Sequence, residues 1–226
     1  MRRVFVVSLA LLAIGSASAG AQTCRGLAPL SASAIQVTGE GSLTAESSTL
    51  SAGLGYGLPQ SIFGSVAVGK SSSEAFGGSS LDLEAGVGYQ ISLGKTGQSQ
   101  LCPTASVGLG IGPRNTIGSG VDRSNRSALV GLAFGTSFVA TPGIQIVPSV
   151  GLSYAYRKDR AQDNAGATLF EISDHYGLAQ LGLGFILHSN LSIRPRMDIP
   201  LGFDVTDPTF GLSLSYNFGK GGSRVP

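Results

Sequence analysis

The sequence predicts an all-β fold, a closed antiparallel up-and-down transmembrane β-barrel of about ten strands, with eight as the alternative count. Three observations carry this. The last candidate strand, residues 209–218, alternates without a break. Phe210, Leu212, Leu214, Tyr216 and Phe218 fall on one face, and Thr209, Gly211, Ser213, Ser215 and Asn217 on the other. Successive side chains of a strand point to opposite faces, so one face is apolar and the other small and polar. Second, charged residues make up only 12% of the chain while Gly reaches 34 residues, and mean hydropathy is positive. Yet beyond the amino terminus no apolar run is long enough to cross a bilayer as a helix. Third, the polar connections between candidate strands alternate in length, as expected when one end of a barrel carries tight turns and the other carries loops.

Composition separates a membrane barrel from a soluble one. A soluble barrel needs Lys, Glu and similar residues on its outer face. Here the non-apolar face is mostly Gly, Ser and Thr, which suits a narrow lumen, and the apolar face of Leu, Val, Ile and Phe suits lipid. In hydrocarbon every backbone donor and acceptor needs a partner, so spanning strands must close into a ring. A net charge of +2 gives no basis for a nucleic-acid partner.

The amino terminus reads as an export leader, residues 1–21. Arg2 and Arg3 form a basic start, residues 4–14 an apolar run too short to span, and residues 15–21 a small-residue cleavage region. Cleavage is expected after Ala21. The only two cysteines, Cys24 and Cys102, in an exported chain read as a disulfide. Two distant histidines, His175 and His188, show no metal-ligand spacing with them, so no metal and no cofactor are expected.

The candidate strands follow in order, each near the length of about 9–11 residues needed to cross at a tilt. Residues 34–43 place Ile35 and Val37 outward and Gln36, Thr38 and Glu40 inward. Residues 48–58 place Leu50, Leu54 and Tyr56 outward. Residues 61–70 are the least regular, because Phe63 and Lys70 break the alternation. Residues 80–93 set Leu81, Leu83, Val87 and Tyr89 against Asp82, Glu84 and Gln90. Residues 100–112, 127–139, 144–157 and 175–188 repeat the pattern. Residues 191–199 alternate Leu191, Ile193, Met197 and Ile199 with Ser192, Arg194, Arg196 and Asp198. Residues 108–112, Gly-Leu-Gly-Ile-Gly, look like a phosphate-cradling loop only out of context, since they lie within an alternating strand.

Residues 59–60, 94–99, 140–143 and 189–190 are the short connections, and 71–79, 113–126, 158–174 and 200–208 the long ones. With short turns periplasmic and long loops extracellular, both termini fall in the periplasm. Residues 22–33 then form a periplasmic N-terminal segment, tethered by Cys24 to Cys102 near a short turn. Residues 34–218 form the barrel and residues 219–226 a short tail. Tyr56, Tyr89, Phe138, Tyr216 and Phe218 fall at predicted periplasmic strand ends, and Tyr154, Tyr156 and Tyr176 at the opposite ends, as interfacial belts require.

The leader, the alternating strands and the ending Gly211-x-x-Leu214-x-Tyr216-x-Phe218 resemble the small bacterial outer-membrane β-barrel proteins, the broad porin-family group around the OmpA transmembrane domain, OmpX and OmpW. The resemblance covers essentially the whole mature chain. It implies an integral outer-membrane location, with outer-membrane lipids and lipopolysaccharide as surroundings. It also implies that Gly211, Leu214, Tyr216 and Phe218 form the signal read by the barrel-assembly machinery.

Six charged residues, Glu40, Asp82, Glu84, Arg194, Arg196 and Asp198, have inward phase. Charge away from water is costly unless paired, so they are expected to form a network that fills the lumen. The function expected is non-enzymatic, structural or through surface loops. The alternative is a small porin-like channel lined by charge rings. A third reading, a lipid A-modifying enzyme, would rest on Ser173, Asp174 and His175, whose spacing is not specific.

Overall fold

The computed structural model describes residues 23–28, 30, 32–73, 78–94, 98–112, 122–163, 165–202 and 207–218. The expected leader (1–21), the tail (219–226) and parts of the expected loops 71–79, 113–126 and 200–208 lie outside the described residues.

The strands are β1 (Ile35–Leu43), β2 (Ser47–Gly57), β3 (Ile62–Ser73), β4 (Gly78–Tyr89), β5 (Ile91–Leu93), β6 (Ser99–Ile111), β7 (Asp122–Thr136), β8 (Phe138–Thr141), β9 (Ile144–Gln162), β10 (Thr168–Leu187), β11 (Leu191–Leu201) and β12 (Thr209–Phe218). β5 continues β4 after a one-residue break at Gln90, whose N–H donates to the Ser61 carbonyl at 2.9 Å. β8 continues β7 in the same way after Ser137. Ten antiparallel pairings close the ring, β1 to β12 included, where Ile35 sits opposite Phe218 and Glu40 opposite Ser213. The ring therefore has ten spanning strands, with the first and third included. Closure pairs each of the ten strands on both sides around the ring, and beyond it residues 168–176 of β10 pair only with β9 among the described residues.

Burial is inverted relative to a soluble domain. The outer face is apolar and exposed: Leu50, Val66, Val107, Val130, Leu152, Leu181 and Leu212 all point away from the ring. The inner face holds the buried polar residues Gln36, Gln100, Ser192, Arg194, Ser213, Ser215 and Asn217. The same period-two pattern thus produces a barrel with lipid-compatible walls.

The irregular third strand has a simple explanation. Phe63 points inward and is 2% exposed, filling the lumen opposite Gly88, which has no side chain to collide with it. Lys70 points outward near the far end of β3, opposite Leu50 and Leu81.

The expected connection 158–174 is mostly strand. β9 runs on to Gln162 and β10 starts at Thr168, so the turn shrinks to residues 163–167, where Asp163 Oδ1 accepts from the N–H groups of Ala165 (2.9 Å) and Ala167 (2.8 Å). Likewise β7 begins at Asp122 rather than at residue 127. Backbone pairing continues where side chains become polar. Polarity marks where a strand leaves the apolar zone, not where it stops. At that same end the β1–β2 connection, residues 44–46, is tight, held by Thr44 Oγ1 accepting from Ser47 N–H at 3.0 Å.

Candidate functional site: the lumen and its internal segment

The sequence reads residues 22–33 as a periplasmic N-terminal segment tethered by Cys24 to Cys102. The structure places the start of this segment inside the ring. Thr23–Arg25 form a single 3-10 turn packed on the inner faces of β6, β7 and β9, with Thr23 and Cys24 buried. Leu27, Ala28 and Leu30 are buried too. Ala28 packs with Val147 and Ile186, and Leu30 and Ala34 pack with Phe63. These apolar contacts lie at the end of the barrel that carries the tight turns.

Specific contacts fix the segment. Cys24 is disulfide-bonded to Cys102 on β6, with Cα atoms 5.9 Å apart. Thr23 N–H donates to Gln100 Oε1 at 3.1 Å, and Ala28 N–H donates to Ser192 Oγ at 2.7 Å. Ser33 N–H donates to the Gly57 carbonyl at 2.8 Å, and Gly57 N–H to the Ala34 carbonyl at 3.0 Å. Two wall glycines make room. A side chain at Gly135 would collide with the Thr23 carbonyl, and one at Gly184 with the Gly26 carbonyl. Close backbone approach of this kind requires glycine.

Beyond the segment lies a cavity of about 260 Å³, lined among others by Arg25, Phe63, Glu84, Ser149, Arg194 and Arg196. Arg25, carried into the lumen by the segment, places its guanidinium over the Phe63 ring, 5.6 Å from the centroid. Burial lowers its pKa and is the largest influence, while Glu84 and Glu40 pull the other way. An arginine nonetheless keeps its charge in a protein. Arg194 is 8% exposed and packs against Gly26 and Gly182. Its Nε and the Oγ of Ser149 have no hydrogen-bond partner among the described residues, so the cavity wall is polar and able to hold water.

The remaining inward charges lie nearer the loop end. Arg196 Nη2 is 2.7 Å from Glu40 Oε1 and 3.4 Å from Asp198 Oδ2. Asp198 Oδ1 accepts from Gln180 Nε2 at 3.2 Å. Asp82 is held separately, by the Ser71 hydroxyl and by Ser80 Oγ at 3.5 Å. Arg196, Glu40 and Asp198 thus come together, Glu84 joins Arg25 and Arg194 around the cavity, and Asp82 stands apart with serines. Arg25 is the residue that sequence phase missed. It belongs to no strand, and only its proximity to Cys24 linked it to the wall.

In β12, Leu214, Tyr216 and Phe218 lie on the outer face, and the Tyr216 and Phe218 rings meet edge to face with centroids 4.8 Å apart. Gly211 is on the inner face, where it leaves room for the Arg196 side chain. Ser173, Asp174 and His175 are consecutive in β10, so Asp174 lies on the face opposite the other two. Instead, His175 Nδ1 is 2.9 Å from Tyr154 Oη, and its ring packs on Tyr154 and Tyr156. Tyr176 has inner phase and takes no part in that outer cluster. Among the described residues no group of three or more His, Cys, Asp or Glu side chains is arranged to hold a metal.

No protein-family model matches the chain, and no curated protein matches it. Solved structures do. The translocator domain of autotransporter NalP from Neisseria meningitidis aligns with a TM-score of 0.52 at 11% identity, covering 81% of this chain and 86% of that one. The β domain of the Bordetella autotransporter BrkA aligns with a TM-score of 0.49 at 13% identity, over 82% and 98% of the two chains. The N-terminal β-barrel domain of Pseudomonas aeruginosa OprF gives a TM-score of 0.36 at 13% identity, over 83% and 98%. At such identities the likeness speaks for the fold, and the NalP alignment is the one that carries it. With the ten closed pairings and the apolar exterior, this chain has the fold of a small outer-membrane β-barrel.

Proposed function

We propose that the protein is an integral, non-enzymatic outer-membrane barrel with a closed lumen, serving the envelope structurally and through the polar strand ends at its loop side. Both termini lie on the periplasmic side in this reading, because the amino-terminal segment and Phe218 share the end with the tight turns. One observation carries the proposal: a segment of the chain, linked by Cys24–Cys102, occupies the barrel interior at that end. Eight strands enclose an interior about wide enough for side chains to fill, and ten enclose somewhat more, which the segment occupies at this end. Adding a backbone segment, Phe63 and paired charges leaves little path for solutes.

The test is conductance of the refolded protein in planar bilayers under oxidising conditions. The expected result is no steady open level. A stable, ohmic conductance in the oxidised protein would replace this reading with that of a polar-solute channel. That second reading draws on the charged cavity beside the segment.

A further inference from the structure

The exterior face of the β7–β9–β10 sheet changes character over a short distance. In β9, Val150, Leu152, Tyr154 and Tyr156 point outward, and so, by the continuous register with β7, do Lys158 and Arg160. The register places Arg126 of β7 beside Lys158, and Glu171 of β10 beside Arg160. Tyr154, Tyr156 and His175 form an aromatic cluster at the top of the apolar wall. Lys158 lies about 7 Å farther along the strand than Tyr156, and Arg160 about 13 Å farther. The order going up the wall is therefore aliphatic, aromatic, then cationic. Aromatic side chains favour the headgroup boundary, and cations just beyond it meet lipid phosphates.

The cations also enclose a site. A hollow of about 180 Å³ is bounded by Ser124, Arg126, Lys158, Arg160, Gln162 and Glu171, all of outward phase. Lys158 Nζ is 2.8 Å from Glu171 Oε1, and Arg160 donates from Nε (3.2 Å) and Nη2 (2.7 Å) to Thr168 Oγ1. Arg126 forms no ion pair or hydrogen bond with the described residues. Three cations against one carboxylate leave the hollow with a net charge of +2. Asp122 lies one outward position beyond Ser124.

We propose that this hollow binds the phosphate of a phosphorylated lipid headgroup at the membrane surface, with Arg126, Lys158 and Arg160 as the ligands. Arginine and lysine together suit a phosphate, since charge-assisted bonds to its oxygens are among the stronger polar contacts. Glu171 is an internal competitor for Lys158. The placement at headgroup level rests on the membrane reading proposed above. Binding itself does not, and detergent-solubilised protein tests it separately.

The experiment measures lipid retention on the refolded, oxidised protein by native mass spectrometry. The probes are lipid A carrying its phosphates, the same lipid with the phosphates removed, and inorganic phosphate. Wild type is expected to retain the phosphorylated form about tenfold more than the stripped form. Arg126→Gln alone is expected to weaken retention, and Arg126→Gln with Lys158→Gln and Arg160→Gln to reduce it to the level of the stripped lipid. Glu171→Gln is expected to raise it. Equal retention of both lipids, or unchanged retention in the triple variant, overturns the proposal. Displacement of the lipid by millimolar inorganic phosphate would assign the hollow to free phosphate and overturn the lipid assignment. Arg126→Gln removes no ion pair or hydrogen bond with the described residues, so it keeps the test valid should the triple variant fail to refold. Loss of this binding leaves the closed-lumen reading untouched, and a conducting lumen leaves the binding result untouched.

Discussion

Gly26 of the internal segment lies directly against Gly184 on the inner wall of β10, so close that a side chain on Gly184 would collide with the Gly26 carbonyl. The wall and the segment are matched at that point, backbone to backbone. Gly184→Leu is therefore expected to displace the segment and to cost about 1–3 kcal/mol, as overpacking does. Urea unfolding in detergent measures the cost, and bilayer recording reads the displacement as a rise in open events. A variant with wild-type stability and a silent lumen would show that the segment does not pack there.

The disulfide closes a loop of the chain with a sequence separation of 78 residues. Cys24→Ser with Cys102→Ser is expected to lower stability by about 2–5 kcal/mol by freeing the unfolded chain. The oxidised and reduced wild-type proteins should also migrate differently on an unboiled gel. The hydrogen bonds from Thr23 and Ala28 remain in the variant, so the segment is expected to stay in the lumen more loosely rather than to leave it.

The Arg196–Glu40 pair is expected to behave as a coupled unit. The Arg196 and Glu40 side chains are 20% and 24% exposed, so solvent screens the pair only in part. Arg196→Met and Glu40→Gln each leave a charge in the lumen with its main partner gone. A double-mutant cycle should give a coupling of about 1–3 kcal/mol. Coupling indistinguishable from zero would mean that Asp198 holds Arg196 by itself.

Leu152 tests the lipid-facing assignment, since it is 63% exposed in the middle of the apolar wall. In a membrane or micelle, Leu152→Arg is expected to cost about 2–4 kcal/mol, the penalty for a cation at mid-bilayer on a barrel exterior. A soluble exterior would tolerate the same change with little effect. Reversible unfolding of the refolded protein in lipid vesicles distinguishes the two.

The legible part of the fold follows from one physical rule. Side chains alternate between the faces of a strand, and lipid on one side with a narrow polar lumen on the other imposes opposite chemistry on those faces. β12 was legible residue by residue for that reason, and the inward phase of Glu40, Arg194, Arg196 and Asp198 came with it. Strand ends were less legible. β9 and β10 pair on through Lys158, Arg160 and Glu171, where polar side chains cost nothing in water and backbone hydrogen bonds still form. Phe63 read as an irregularity because alternation cannot tell that an inward aromatic has a partner waiting inside.

By itself, the sequence determined that the chain is a closed antiparallel barrel with an apolar exterior, because the alternation of faces depends only on neighbours along a strand. The tertiary structure alone decided what fills the interior. That the segment from Thr23 enters the ring, that Arg25 reaches Phe63 and the cavity by Glu84, and that Arg126, Lys158 and Arg160 share one outer hollow all depend on residues far apart in the chain. Such contacts are set by the register of ten closed pairings and by the space that glycines such as Gly135 and Gly184 leave open. No local pattern encodes that space.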